Sequence, residues 1–318
     1  MTSFSDRLAT AIRSKQTPVC VGLDPRWQSL PESLRQPSQT HGQNQQLQHA
    51  AAYAEFCQRV IDVVAPLVPV VKPQVAFFEQ LGPPGLMALA QVIVYARKRN
   101  LLVIVDAKRN DIGSTADAYA AAYFGPDAPW PADALTVSPY LGDDSLSPFV
   151  DAAREHGGGL FILVKTSNPG GGQFQDLACD GRPLYRHVAE FVERLNAEDI
   201  DAGGSDKSYA SDNSYGSIGA VVGATYPEQL SELRASMPHA WLLIPGFGSQ
   251  GGTAQSTAAG FDAQGLGAIV NNSRGIIFAH ERPQYASFGP SRWQEAIEAA
   301  TRDMMAQLRA ATPAGKLS

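Results

Sequence analysis

Charged residues stand at the carboxyl ends of consecutive apolar runs in the first third of the chain. Residues 19–23 are followed by Asp24, residues 68–71 by Lys72, and the run 101–106 closes on Asp106, with Lys108 two positions later and Asp111 just beyond. Any one of these would suit an ordinary polar strand end. Together they are costly, because a buried ion loses several kcal/mol of hydration unless a partner offsets it. Arrays of that kind concentrate where chemistry is done. Asp106 and Lys108, two residues apart, share a face of an extended chain, where the carboxylate would keep the ammonium charged.

Two later segments offer the means to hold an anion. One reads Pro245-Gly246-Phe247-Gly248-Ser249-Gln250-Gly251-Gly252 and the other Val270-Asn271-Asn272-Ser273-Arg274-Gly275. Glycine lets backbone N–H groups approach an anion closely and Arg274 carries a bidentate fork, so the pair reads as a phosphate cradle after the seventh and eighth apolar runs. The fifth run ends in Lys165-Thr166-Ser167-Asn168-Pro169-Gly170-Gly171-Gly172, a polar loop suited to covering a ligand, although on composition alone an ordinary turn fits as well.

These residues need elements to bring them together. Eight short runs rich in β-branched residues recur at 19–23, 68–71, 101–106, 134–137, 160–164, 218–222, 241–244 and 268–270, most of them separated by one helix-length stretch. Tyr53, Phe56, Cys57, Val60, Ile61 and Val64 make one apolar helical stripe, and Leu86, Leu89, Ala90, Ile93 and Val94 make another. A last helix carries Trp293, Ile297, Ala300, Met304 and Leu308 on one side, with Ser291 to Gln294 spaced as a capping box. Strand and helix alternating eight times predict an α/β fold, a (β/α)₈ TIM barrel formed as a single domain over 1–318, rather than an open doubly wound sheet. Two insertions interrupt the alternation, at 28–48 and 201–217, and their polar composition predicts mobile surface loops. In such a barrel the site lies at the carboxyl ends of the strands, where the charged residues stand.

Composition narrows the partners. With 25 Lys+Arg against 31 Asp+Glu the chain carries a net charge of −6, which offers no general field for nucleic acid or anionic lipid. No apolar run is long enough to cross a membrane, and the N-terminal residues lack a signal-peptide pattern. Three scattered cysteines argue against a disulfide framework, and a cytoplasmic location is expected. The six histidines show no zinc-binding spacing, and Walker, dinucleotide-binding and nucleophile-elbow patterns are missing.

The run Asp106-Ala107-Lys108-Arg109-Asn110-Asp111-Ile112-Gly113-Ser114-Thr115 resembles the D-x-K-x-x-D-I-x-x-T signature of the orotidine 5′-phosphate decarboxylase family. Gly22 to Pro25, Val71 to Glu79, Ser138 to Gly142, Thr166 to Pro169 and the two anion-holding segments are similar to its longer bacterial subgroup, in the right order from about residue 5 to 310. The resemblance implies an enzyme that converts orotidine 5′-monophosphate (OMP) to UMP and CO₂, the last step of de novo UMP synthesis, with no cofactor and no metal. It implies that Lys108 stabilises and protonates a C6 carbanion, that Asp106 faces the departing carboxylate, and that Lys72 and Asp111 complete a Lys-Asp-Lys-Asp array. Asp24 would hold a ribose hydroxyl, Ser167 the pyrimidine edge, Gln250 both pyrimidine and phosphate, with Gly251 beside it, and Arg274 the phosphate. Asp111, Ile112 and Thr115 would reach a neighbouring subunit's site, so a homodimer with shared sites is implied. Ser273 departs from the family, where many relatives have glycine before the arginine. The alternatives are an Mg²⁺-dependent keto-sugar phosphate decarboxylase of the same superfamily, which wants a carboxylate where Lys72 stands, and a nucleotide-binding barrel without turnover.

Overall fold

In the computed structural model, which describes residues 2–35, 43–203, 215–248 and 251–317, each of the eight apolar runs forms a strand. They are β1 (Val19–Leu23), β2 (Val70–Pro73), β3 (Leu102–Arg109), β4 (Ala134–Val137), β5 (Gly159–Lys165), β6 (Ile218–Val222), β7 (Leu242–Ile244) and β8 (Ala268–Asn272). All pair in parallel with their sequence neighbours, and β1 closes on β8 to complete the barrel. Parallel strands covered by helices outside and side chains inside are buried on both faces. Every residue of β1, β2, β4, β6, β7 and β8 is accordingly buried.

The strands run further toward the site than the apolar runs do. Lys72 lies inside β2, Asp106 and Lys108 inside β3, and Asn271 and Asn272 inside β8. A polar side chain reads as a loop residue, yet the last inward positions of barrel strands are where a site is built. Register slips at two carboxyl ends, between Val105 and Arg109 of β3 and between Leu163 and Lys165 of β5. Such irregularities re-aim side chains.

Helices follow the strands as periodicity predicts, with two corrections. Tyr53, Phe56, Cys57, Val60, Ile61 and Val64 form the buried stripe of helix Gln43–Val64. Helix Pro83–Lys98 instead buries Gly85, Ala88, Leu89, Val92, Ile93 and Ala96, while Val94 is exposed. Small residues let that face approach its neighbour, so the buried stripe is rotated from the one the larger apolar residues suggest. Helix Trp293–Ala311 packs Trp293, Ile297, Ala300, Met304 and Leu308 inward, but no capping box forms at Ser291, because a 3₁₀ turn over Pro290–Arg292 precedes it.

Part of the expected loop over 28–48 is regular structure. Residues 28–35 hold two 3₁₀ turns that bury Leu30 and Leu34, and helix Gln43–Val64 takes up the end of the segment; 36–42 lie outside the described residues. Of 201–217, helix Leu184–Gly203 claims the start, Tyr215 is buried, and 204–214 lie outside the described residues. An N-terminal helix, Phe4–Lys15, packs at the amino ends of the strands, with Ser3 capping it through Asp6 N–H at 3.1 Å. Its Phe4 meets Phe161 edge to face at 6.0 Å, and its Arg7 pairs with Asp133, which also accepts from Val103 N–H. The opposite end is left for the site.

Candidate active site

One cavity of about 710 Å³ opens at the carboxyl ends of the strands, and Asp24, Lys72, Asp106, Lys108, Ser167 and Arg274 all line it. At its floor is Asp106. Lys72 Nζ lies 2.6 Å from Asp106 Oδ2, and Lys108 Nζ lies 2.6 Å from Oδ1. Gln74 Nε2 donates to Oδ2 at 2.9 Å and the Thr136 hydroxyl donates to Oδ1 at 3.0 Å, so each carboxylate oxygen holds two donors. That fills the acceptor capacity of a carboxylate. Lys72 and Asp106 are buried, at 5% and 7% exposure, whereas the Lys108 side chain is 46% exposed toward the cavity it lines.

The electrostatics follow from this packing. Burial favours a neutral Asp106, but Lys72 and Lys108 outweigh it and hold the carboxyl well below the usual carboxylate range. Burial likewise works against the Lys72 ammonium, and Asp106 with Asp24 holds its pKa above the ordinary lysine value. Burial raises Asp24, with Lys72 and a hydrogen bond from Ser273 acting against it. The Oδ1 atom of Asp24 is buried with no hydrogen-bond partner among the described residues. A carboxylate oxygen in that state, on a cavity wall, is an acceptor waiting for a ligand donor.

Lys108 does not reach Asp106 through a fully extended strand, as the two-residue spacing predicts. Its φ is +48°, in the left-handed region that is strained for lysine. The backbone is tied on both sides of that residue: Lys108 N–H donates to Thr136 Oγ1 at 2.9 Å, and the Arg109 carbonyl accepts from Ser138 N–H at 2.9 Å. The Arg109 side chain pairs with Glu79 and donates to Tyr123 Oη. Spacing alone put Lys108 on the right face, but the register slip in β3 achieves it.

The remaining sequence-derived residues divide by position. Gly251 adopts φ +90°, which favours glycine, and its N–H donates to Gly248 O at 3.0 Å, while Gly248 and Gly252 also spend theirs within the loop. The loop's neighbours Gly246 and Phe247 line the cavity; Gln250 lies outside the described residues. Ser273 accepts from Asn271 Nδ2 at 3.5 Å as well as bonding Asp24, so the residue that departs from the family pattern joins β8 to β1. Asp111, Ile112 and Thr115 do not line their own chain's cavity: Asp111 Oδ1 accepts from Ile112 N–H, and Ile112 is 57% exposed. Thr136 and Gln74 received no role from the sequence. Thr136 carried a signal, as the polar residue of a four-residue strand that is otherwise apolar.

Among the described residues no group of three or more His, Cys, Asp or Glu side chains could hold a metal, and no helix is long and apolar enough to cross a membrane. Cys20, on β1 beneath the array, is pushed up to about 12 by burial and serves as a thiol packing group.

Known proteins resemble this chain over nearly its whole length. The orotidine 5′-phosphate decarboxylase / HUMPS family model matches residues 17–287. The orotidine 5′-phosphate decarboxylase of Rhodopirellula baltica is 53% identical over 314 residues, covering 97% of this chain and all of that protein. That of Deinococcus radiodurans is 41% identical over 280 residues, covering 87% and 90%. Among solved structures, OMP decarboxylase of Leishmania donovani superposes with a TM-score of 0.72 at 34% identity, covering 98% of each chain. Fold, site and relatives agree, and the chain belongs to the orotidine 5′-phosphate decarboxylase family.

Proposed function

We propose that the chain decarboxylates OMP to UMP and CO₂, closing de novo UMP synthesis, and that Lys108 is the group that carries the chemistry. The observation that supports this most directly is the Lys72–Asp106–Lys108 array, each ammonium 2.6 Å from the shared carboxylate, on the floor of a cavity whose wall also carries Arg274. Cleavage of the C6–carboxylate bond leaves an electron pair on a ring carbon with nothing in water to stabilise it. The Lys108 ammonium, 2.6 Å from Asp106 and open to the cavity, interacts most strongly with that pair as it develops, which lowers the barrier rather than merely tightening binding. It then gives its proton to C6, which an arginine would not readily do.

Binding falls to other strand ends. The unpartnered Oδ1 of Asp24 accepts a ribose hydroxyl, Ser167 meets the pyrimidine edge, and Arg274 takes the phosphate, with Gln250 and Gly251 in the same loop cluster. Remote phosphate contacts supply binding energy that can hold the loops over the reacting centre. Asp111, Ile112 and Thr115 complete the site of a second copy in a homodimer. Exposed Ile112, with Tyr140 and Leu141 exposed on the adjoining strand-end loop, supports that apolar contact. The cytoplasm is the location in keeping with three free cysteines.

The donor set does not suit an Mg²⁺-held enediolate. Both Asp106 oxygens are already occupied by ammonium, amide and hydroxyl donors, and Lys72 stands where a carboxylate ligand is wanted. A barrel that only binds nucleotide has no need of so expensive an array. The test is the ultraviolet absorbance change of OMP with purified protein, with and without EDTA. Rapid turnover unaffected by chelation is expected; silence, or dependence on Mg²⁺, overturns the reading.

A further inference from the structure

Among the described residues the most deeply buried lysine takes no part in the charged array. Lys165, the last residue of β5, is 1% exposed and does not line the cavity, although Leu163 two residues earlier does. Strand alternation would send both to the same side, and the register slip between them takes Lys165 elsewhere. Its ammonium sits between two aromatic rings, 5.3 Å from the centroid of Tyr185 and 5.2 Å from that of Tyr226. Rings of this kind attract a cation but cannot alone replace its hydration. Among the described residues its carboxylate partner is Asp176, whose side chain is about half exposed.

Asp176 belongs to the loop that follows β5, and that loop forms one wall of the cavity through Ser167, Asn168, Gly170, Gly171, Phe174 and Gln175. The residue before Asp176 is built into the same wall: Gln175 Oε1 accepts from Thr166 N–H at 3.0 Å, and its Nε2 donates to Thr166 Oγ1 at 2.8 Å. The other side of the loop rests on Gly223 at the end of β6, where a Cβ would fall 2.9 Å from Ser167 Cα. Both ends of the loop are therefore fastened close to Ser167, one through the Lys165 ion pair.

We infer that Lys165 and Asp176 are positioning residues for the substrate-facing loop, holding Ser167 against the pyrimidine by making a buried charge depend on the loop being docked. If the loop lifts, Asp176 leaves with it and Lys165 remains as a bare ammonium in an aromatic slot. That penalty resists opening without either residue touching the substrate. The inference rests on the decarboxylase reading for its substrate but not for its mechanics.

Steady-state turnover of OMP and hydrogen exchange of the ligand-free amides over 166–183 test it together, in the wild type, Asp176→Asn, Lys165→Met and the double variant. Asp176→Asn changes an exposed side chain and leaves the core intact. It is expected to raise KM for OMP about tenfold with kcat within about threefold, and to speed exchange across the loop. Removing Lys165 as well leaves no pair to lose, so the double variant should show a KM no higher than that of Asp176→Asn, and the two effects are not additive. An unchanged KM in Asp176→Asn overturns the positioning role even if exchange quickens, and additive effects in the double variant overturn the coupling. Should Lys165→Met fail to fold, Asp176→Asn and its exchange pattern decide alone. Wild-type silence toward OMP would instead refute the decarboxylase reading, leaving the exchange comparison to judge the latch.

Discussion

Replacing Thr136 by valine keeps shape and burial and removes one hydroxyl, which in this structure performs two tasks. It donates to Asp106 Oδ1 at 3.0 Å and accepts from the Lys108 N–H at 2.9 Å. A hydrogen bond to an ionised carboxylate contributes about 1.5–3 kcal/mol and one to a backbone amide about 0.5–1.5 kcal/mol. The loss to folding is therefore about 2–4.5 kcal/mol, and the melting temperature should drop by several degrees. The larger effect falls on chemistry. Lys108 holds a left-handed backbone that costs about 1–3 kcal/mol, and Thr136 is one of the ties keeping it there. Freed from that tie, the ammonium can drift by about 1 Å, which is worth on the order of 10²-fold in rate. Turnover of Thr136→Val should therefore fall about a hundredfold while KM moves little, because the proposed phosphate and ribose contacts come from other strands. Thr136→Ser, which keeps the hydroxyl, should recover most of the rate. A valine variant within twofold of wild-type kcat would refute the idea that this hydroxyl positions the lysine.

Three further outcomes follow from the same geometry. In Lys72→Met one ammonium is gone while burial remains, so the Asp106 carboxyl rises from its depressed value. A depressed carboxyl stabilises the fold above its unfolded pKa near 3.8 and loses that contribution as pH falls, so acid unfolding and the acid limb of kcat/KM should both move to higher pH; limbs that stay in place would contradict the pairing. Arg274→Ala should weaken UMP far more than uridine in a calorimetric titration, and equal losses would remove its phosphate role. Mixing Lys108→Ala with Asp111→Ala subunits should restore about a quarter of wild-type activity if sites are shared, because half of the re-paired dimers then carry one intact site. Mixtures as inactive as their parents would argue against shared sites.

Much of this was legible in the chain because burial leaves a plain trace in composition. Parallel strands covered on both faces must be continuously apolar, so eight such runs could be counted and the charges behind them located. What escaped were features that depend on partners distant in sequence. Thr136 looks like any strand threonine until β4 lies beside β3. Lys165 reads as the start of a polar loop, and nothing in its local sequence announces that a register slip turns it away from the cavity. The left-handed backbone at Lys108 is hidden for the same reason, since lysine gives no local cue for it and only packing against β4 holds it there. The 28–48 segment misled in the opposite direction: its glutamines suggested solvent, while Leu30 and Leu34 were enough to fold part of it onto the barrel.

The arrangement around Asp106 also bears on how the array lowers the barrier. A carboxylate facing the leaving CO₂ group could work by repelling the substrate, raising the ground state. That role asks for exposed negative charge. Here each oxygen of Asp106 already holds two donors, two of the four being ammonium groups, and the carboxylate is buried beneath them. Within one chain Lys72 is set against both Asp106 and Asp24, and it is the half-exposed Lys108 that meets the cavity. In the proposed reaction the Lys108 ammonium attracts the electron pair more strongly as that pair localises on C6. The geometry therefore favours Asp106 as the counter-ion that fixes Lys108 in place, with rate acceleration in the proposed reaction arising where the carbanion forms.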